Sequence, residues 1–153
     1  MQRRNFFKSV LAMTGLAATM AGGGAALAAT AKNLPKNKQK VVYHLSDAEK
    51  VAFVLSNIQN HIAGVGGPEY VEIVLVVHGP ALKAFHKAAA DPAVKQAITN
   101  LKEEGVSLDA CANTMKAQKV DENGLLPGFV KFEQGGVVRI AQLQGDGYVY
   151  LRP

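Results

Sequence analysis

The chain has 153 residues, of which 48% are hydrophobic and 19% charged, and its formal net charge is +5 at pH 7. This length fits one domain with a core of its own and is too short for two. Three of the 17 basic residues and none of the 12 acidic ones precede residue 29, so the remainder carries 14 against 12, about +2, which argues against nucleic acid as a partner.

The first 28 residues have the pattern of a bacterial export signal. A basic start leads into apolar and small residues, and the segment ends in the small-x-small triplet Ala26-Leu27-Ala28. The stretch 2–8, QRRNFFK, matches the twin-arginine pattern, and that route exports proteins already folded. Glycines interrupt the apolar part, so a permanent membrane helix is the weaker alternative. We expect residues 1–28 to be a signal peptide, the protein to be periplasmic, and no stable membrane anchor to remain after cleavage.

The rest of the chain divides into a linker at 29–39 and a domain at 40–153, in which short β-type runs alternate with amphipathic helical segments. A capping box at Ser46–Glu49 is predicted to start the first helix. The alternation predicts an α/β fold, a parallel sheet covered by helices. The predicted strands are 41–45, 70–77, 106–110, 129–132 and 148–151, and the predicted helices are 51–62, 81–85, 92–104, 113–119 and 137–143.

Polar side chains end three consecutive strands of the predicted sheet. These are His44, His78 and Cys111. The carboxyl ends of parallel strands meet at one edge, where ligands bind in such folds. We therefore expect all three side chains at the same edge of the sheet.

Cys111 is the only cysteine, so an internal disulfide is impossible and the thiol is buried, joined to another chain, or used. Its position between a strand end and a helix start predicts exposure and helix N–H groups that favour the thiolate. Asn113 and Thr114 could hydrogen-bond a bound sulfur anion, and His44 or His78 could act as proton donor or charge partner.

Other interpretations of Cys111 and the histidines are open from the sequence. Unpaired cysteine is among the most buried residue types, so Cys111 could be structural. A metal site would use His44, His78 and Cys111. Metal sites that can be recognised in a sequence have ligands in closely spaced pairs, whereas here each strand supplies one ligand. No metal and no cofactor are therefore predicted. His61 and His86 are interpreted as surface residues, and the carboxylate of Asp109 would oppose a thiolate if it lay near.

Two stretches carry a family resemblance: ACANTM at 110–115 after a strand, and GVVRIAQLQGDGYVYLRP at 136–153. Together they resemble the DsrE/DsrF-like family of small sulfur-relay proteins over about residues 40 to 153. The resemblance implies a three-layer α/β/α sandwich around a mainly parallel five-stranded sheet, assembled as a homotrimer or hexamer. It also implies that Cys111 accepts sulfane sulfur as a persulfide and passes it on.

The sequence hypothesis is thus a periplasmic sulfur-relay protein, a possible sulfurtransferase or sulfur carrier, with Cys111 as the reacting thiol and Asn113, Thr114, His44 and His78 binding the substrate. Its expected partners are further copies of itself, sulfur donor and acceptor proteins, or small polysulfides. The alternative is a non-catalytic oligomeric module that binds a ligand or protein and holds a structural cysteine. A third interpretation, a metal or haem-linked carrier, depends only on the export signal and the edge histidines.

Overall fold

The structure, a computed structural model, describes residues 38–153. The predicted signal peptide lies outside the described residues, as does all of the predicted linker before residue 38. Five strands and four α-helices alternate along this described part of the chain, with short 3₁₀ segments between some of them. They are β1 (Gln39–Leu45), α1 (Val51–Val65), β2 (Val71–Val77), α2 (Pro92–Glu103), β3 (Ser107–Cys111), α3 (Ala112–Gln118), β4 (Phe129–Phe132), α4 (Gly136–Gly145) and β5 (Val149–Leu151).

The five strands form one sheet in the order β4-β3-β2-β1-β5, and every neighbouring pair is parallel. The predicted α/β class and the three-layer α/β/α sandwich are therefore confirmed, with a sheet that is wholly rather than mainly parallel. Because all strands run the same way, their carboxyl ends form a single edge.

The two faces of the sheet are covered unequally. On one face, alternate residues of the strands pack with α1, α2, Met115 of α3 and the 3₁₀ segment Gly79–Phe85 in the large core. The other face carries a small core in which Val42, Val74 and Val76 contact Ile140 and Leu143 of α4. Continuous apolar runs such as VLVV in β2 arise because both faces of a central parallel strand are buried.

Two local predictions are corrected by the structure. Ser46 does not cap a helix: its hydroxyl donates to Asp47 and accepts from Arg152 near the chain's end, and the first turn after Asp47 has no side-chain cap. The predicted helix 81–85 is a 3₁₀ segment, Gly79–Phe85, rather than an α-helix. By contrast, α2 begins at Pro92 as predicted, and the carboxylate of Asp91 accepts a hydrogen bond from the N–H of Ala93 there.

No helix within residues 38–153 combines the length and the apolar character needed to cross a bilayer.

Candidate functional site

The edge at the carboxyl ends of the strands brings the three predicted polar side chains together. His44 is the penultimate residue of β1, His78 directly follows β2, and Cys111 ends β3. These strands are neighbours, and the pairing of Val77 with Ala110 sets His78 beside Cys111. A Cβ added to Gly136, the first residue of α4, would lie 3.3 Å from His78 Cδ2 and 3.4 Å from Cys111 Cβ. One glycine thus contacts both side chains.

Four hydrogen-bond donors surround the sulfur of Cys111. They are the backbone N–H groups of Asn113 and Thr114, the N–H of Gly136, and the Thr114 hydroxyl. The first two come from the start of α3 and the third from the start of α4. Two chain segments far apart in sequence therefore direct their donors at one atom.

The predicted exposure of Cys111 was wrong. Its side chain is only 6% exposed, because the start of α4 packs over it. The covering segment includes Gly135, whose φ is +91° and whose added Cβ would lie 2.8 Å from Asn113 Nδ2 and 3.7 Å from Cys111 Sγ. A side chain at Gly135 would meet both steric and backbone strain.

Burial and hydrogen bonding act on this thiol in opposite directions. Burial alone raises the pKa of Cys111, but the hydrogen bonds from Gly136, Thr114 and Asn113 outweigh it, so the pKa lies below its ordinary value. Hydrogen bonds to the charged form stabilise that form. The hydrogen bonds thus make the thiol of Cys111 more acidic than an ordinary cysteine although solvent is largely excluded.

Thr114 links the sulfur to the neighbouring strand end. Its hydroxyl oxygen accepts a hydrogen bond of 3.0 Å from the N–H of Gly79, which leaves the hydroxyl proton for Cys111 Sγ. The amide of Gln118, one turn on, donates to the carbonyl oxygen of Gly79. The loop after β2 is therefore held against α3, and with it the position of His78.

The two edge histidines contact each other directly. His44 Nε2 lies 2.5 Å from His78 Nε2, and His44 Nδ1 lies 2.7 Å from the hydroxyl oxygen of Tyr150 on β5. Sequence reasoning missed Tyr150. The alternation of YVYL at 148–151 was the available signal, because it puts Tyr148 and Tyr150 on one face of β5.

Both imidazoles are held neutral. Burial, then the charges of His78 and Arg152, lower the pKa of His44 to about 4, against an opposing effect of Asp47. Burial and Arg152 likewise lower the pKa of His78. Asp47 raises the pKa of the two histidines only to a limited extent, because its carboxylate forms an ion pair with Arg152 at 3.2 Å.

Three other polar residues lie differently from what the sequence suggested. Asp109, two residues before Cys111, is buried but paired with Arg139 of α4 at 2.6 Å, so its charge is largely compensated. His61 and His86, predicted as surface residues, are half-buried. His61 bonds Tyr43 and Gln39, and His86 bonds Gln118, so both have structural partners.

Two clefts flank the start of α3 and meet at Asn113. The larger, about 540 Å³, is bordered by charged side chains of α3, the 121–123 loop and β4, among them Lys116, Glu122 and Lys131. The smaller, about 380 Å³, includes Thr114 and Lys83. Cys111 lines neither of them. A substrate in either cleft would therefore meet Asn113 before the thiol, and in the smaller cleft it would also meet Thr114. No group of three or more metal-ligating side chains occurs in residues 38–153.

The profile of the DsrE/DsrF-like family matches residues 12–153. The protein of unknown function MTH1491 from Methanobacterium thermoautotrophicum is similar, with 29% sequence identity and a TM-score of 0.65, covering 76% of this chain and 100% of that chain. The ychN protein from E. coli shares the fold at 19% identity, with a TM-score of 0.59, covering 75% of this chain and 99% of that chain. No functionally curated protein matches the chain.

Proposed function

Because the chain belongs to the DsrE/DsrF-like family, we propose that it is a sulfur-relay protein that accepts sulfane sulfur on Cys111 as a persulfide and passes it to a partner. The observation that supports this most is the set of donors around Sγ, three backbone N–H groups and one hydroxyl. They lower the pKa of a thiol that burial alone would keep protonated, and the thiolate is the nucleophile in sulfur transfer.

In the loading step the Cys111 thiolate attacks the outer sulfur of a donor persulfide. The bond between Sγ and that sulfur forms, and the bond between the two donor sulfurs breaks, leaving the donor as a thiol. In the unloading step a thiolate of the acceptor takes the same sulfur, and Cys111 is restored. No electrons are gained or lost overall, so a single cysteine is sufficient.

Asn113 and Thr114 are proposed to hold the transferred sulfur. A persulfide extends about 2 Å beyond Sγ, towards a surface that must stabilise a second sulfur anion. Asn113 is exposed and borders both clefts, whereas Thr114 is half-buried and already donates to Sγ. We propose that His44 and His78 contribute to the same substrate site from the strand edge.

One observation favours the alternative, a non-catalytic module with a structural cysteine. Cys111 is 6% exposed and lines neither of the two clefts that border Asn113. A thiol with this burial meets solvent only when its cover moves. The two functions therefore differ in one measurable property, which is whether Cys111 reacts in the folded protein.

Intact-mass spectrometry of the folded protein before and after polysulfide treatment tests the proposal. We expect a gain of about 32 Da for each sulfur atom added, reversed by a thiol reductant, and no gain in Cys111→Ser. Iodoacetamide, applied with and without denaturant, reports the accessibility of the thiol. Absence of a mass gain in the folded protein, with alkylation only after unfolding, would assign Cys111 a structural role.

We further propose that the protein acts in the periplasm and as a homo-oligomer. The export-type sequence at 1–28 supports the first proposal. Exposed apolar side chains support the second: Val137 and Val138 at the start of α4 are 70% and 42% exposed, and Val130 on edge strand β4 is 60% exposed. Apolar residues grouped near one edge are typical of protein contacts.

A further inference from the structure

Four titratable side chains form a row across the sheet. The four side chains come from strands that are consecutive neighbours in the sheet. They are Tyr150 of β5, His44 of β1, His78 directly after β2, and Cys111 of β3. All four lie on the face that α4 covers: Tyr150 pairs with Val42 of the small core, and Gly136 contacts both His78 and Cys111. Adjacent strands are about 4.8 Å apart, so each member lies within reach of the next.

The two imidazoles meet end to end. Their planes differ by 22° and their centroids are 4.7 Å apart, while the Nε2 atoms are separated by 2.5 Å. A centroid distance of this size, about the nitrogen separation plus two ring radii, requires the Nε2 atoms to point at each other in nearly one plane. One nitrogen must carry the proton and the other must accept it.

The hydrogen bonds of this row have a consistent direction. If the Tyr150 hydroxyl donates to His44 Nδ1, then His44 carries its proton on Nε2 and donates to His78 Nε2. His78 then carries its proton on Nδ1, an atom with no hydrogen bond inside residues 38–153. The reverse arrangement is equally complete. Switching between the two moves one proton along the row and leaves no charge on either ring.

Building on the proposed sulfur transfer, we propose that Tyr150, His44 and His78 form a proton path that protonates the thiolate leaving the donor when Cys111 takes its sulfur. The Tyr150 side chain is 38% exposed, so solvent can restore its proton. His78 lies beside Cys111 and is the end of the row nearest the thiol.

The step balances in atoms and charge. The Cys111 thiolate attacks the outer sulfur of R–S–S–H. The bond between Sγ and that sulfur forms, and the S–S bond of the donor breaks with its electron pair on R–S⁻. R–S⁻ takes the proton from His78 Nδ1, and His78 Nε2 takes the proton from His44 Nε2. His44 Nδ1 takes the proton from the Tyr150 hydroxyl, and water then returns a proton to Tyr150. The products are R–SH and the hydropersulfide of Cys111, and neither an oxidant nor a reductant is needed.

The charges around the row suit a path of neutral rings. Burial and the charge of Arg152 lower the pKa of both histidines. The carboxylate of Asp47 is paired with Arg152. On the α4 side, Arg139 is paired with Asp109. A stable imidazolium is therefore disfavoured at neutral pH, and a concerted shift of protons between neutral tautomers avoids it.

Single-turnover loading of Cys111, followed by intact mass, tests this path. With an alkyl hydropersulfide donor, His78→Gln is expected to load about 100-fold more slowly than wild type, at the lower end of the range of general acid catalysis. Tyr150→Phe is expected to load more slowly than wild type by a smaller factor, because water can supply the proton to His44 in its place. Tyr148→Phe is the matched control, because Tyr148 bonds Glu72 outside the row. Alkylation of Cys111 by iodoacetamide needs no proton and should be equal in all four proteins.

The leaving group decides between a proton path and a merely structural role. An aryl hydropersulfide releases a thiolate that needs no proton, so the deficit of His78→Gln should largely disappear with this donor. Equal deficits with both donors, or none with the alkyl donor, would overturn the proton path while the relay function stood. Failure of the wild type to load from either donor would instead overturn the relay function. Tyr150→Phe keeps the test open if His78→Gln does not fold.

Discussion

The Thr114 hydroxyl is the one side-chain donor to the sulfur of Cys111 within the described residues. It is also the acceptor for the N–H of Gly79, so it transmits the position of the β2 loop to the thiol. A backbone N–H is removed only by proline, which also constrains φ, whereas this hydroxyl can be removed with the shape of the side chain kept. Thr114 is therefore the residue at which the electrostatics of the site are open to direct measurement.

We expect Thr114→Val to raise the pKa of Cys111, because the thiolate loses a donor while the burial of the sulfur is kept. The pH profile of iodoacetamide alkylation should shift to higher pH. The free energy of unfolding should fall by about 1 kcal/mol, since the Gly79 N–H loses its acceptor. Thr99→Val, which removes a hydroxyl bonded to the Lys95 carbonyl on exposed α2, is the control. An identical alkylation profile in Thr114→Val would show that the hydroxyl does not act on the sulfur.

The lowered pKa of His44 makes the free energy of unfolding depend on pH. Its pKa is lowered from 6.5 to about 4, so the unfolded chain binds a proton on this residue at a higher pH than the folded chain does. The free energy of unfolding should therefore decrease as pH falls from 6.5 to about 4, and this contribution should be constant above pH 7. Urea unfolding at several pH values measures it. His44→Gln should flatten the decrease, and an equal slope in both proteins would contradict the assignment.

At the scale of elements, the start of α4 controls the site. Gly136 donates its N–H to Sγ, and Gly135 permits the close approach of the chain to Asn113. Arg139, one turn later, ties the same helix to Asp109 of β3. The segment that covers the thiol thus also supplies one of the four donors that lower its pKa.

Two glycines at opposite ends of α4 give a matched pair of substitutions. Gly136→Ala places a Cβ at 3.3 to 3.4 Å from His78 and Cys111, so these neighbours must shift, whereas Gly145→Ala meets nothing within 4 Å. We expect Gly136→Ala to cost about 1 kcal/mol and to change the alkylation rate of Cys111. Gly145→Ala should be stabilising by up to about 1 kcal/mol and leave that rate unchanged. Equal alkylation rates in the two variants would argue against control by α4.

The sequence predicted the strands, their parallel arrangement and the edge shared by His44, His78 and Cys111, because β-branched runs and glycine turns are local signals. It did not predict what depends on distant contacts. Ser46 was assigned to a cap because Arg152, its partner 106 residues away, is invisible to local patterns. Cys111 was expected to be exposed because the packing of α4 over β3 is a tertiary event.

At the scale of the whole molecule, the distribution of exposed apolar side chains bears on assembly. Val130 on β4 and Val137 and Val138 on α4 are exposed near one edge of the sheet. Val149, which is 60% exposed, lies on β5 at the opposite edge. The two edges therefore offer separate candidate interfaces, and substitutions at each edge can show which one takes part in assembly.

We expect the protein to be oligomeric in light-scattering measurements, and Val137→Lys to reduce its mass towards that of one chain, because a buried lysine would oppose association. Val149→Lys should leave the assembly intact and serves as the control. A wild-type protein that is monomeric at micromolar concentration would refute the proposed oligomer. Loss of assembly only in Val149→Lys would move the interface to the other edge.

Among residues 38–153, α4 is the single helix that covers its side of the sheet, and the small core described beneath it has few members. Such a layer separates from the sheet at a lower free energy than the strands separate from each other. Hydrogen exchange should therefore find the amides of α4 less protected than those of β1 and β2. Each brief detachment would uncover Cys111 and remove the Gly136 donor at once, so the burial of the sulfur and its hydrogen bonding would change together. A partner that holds α4 open would therefore also set the moment of transfer.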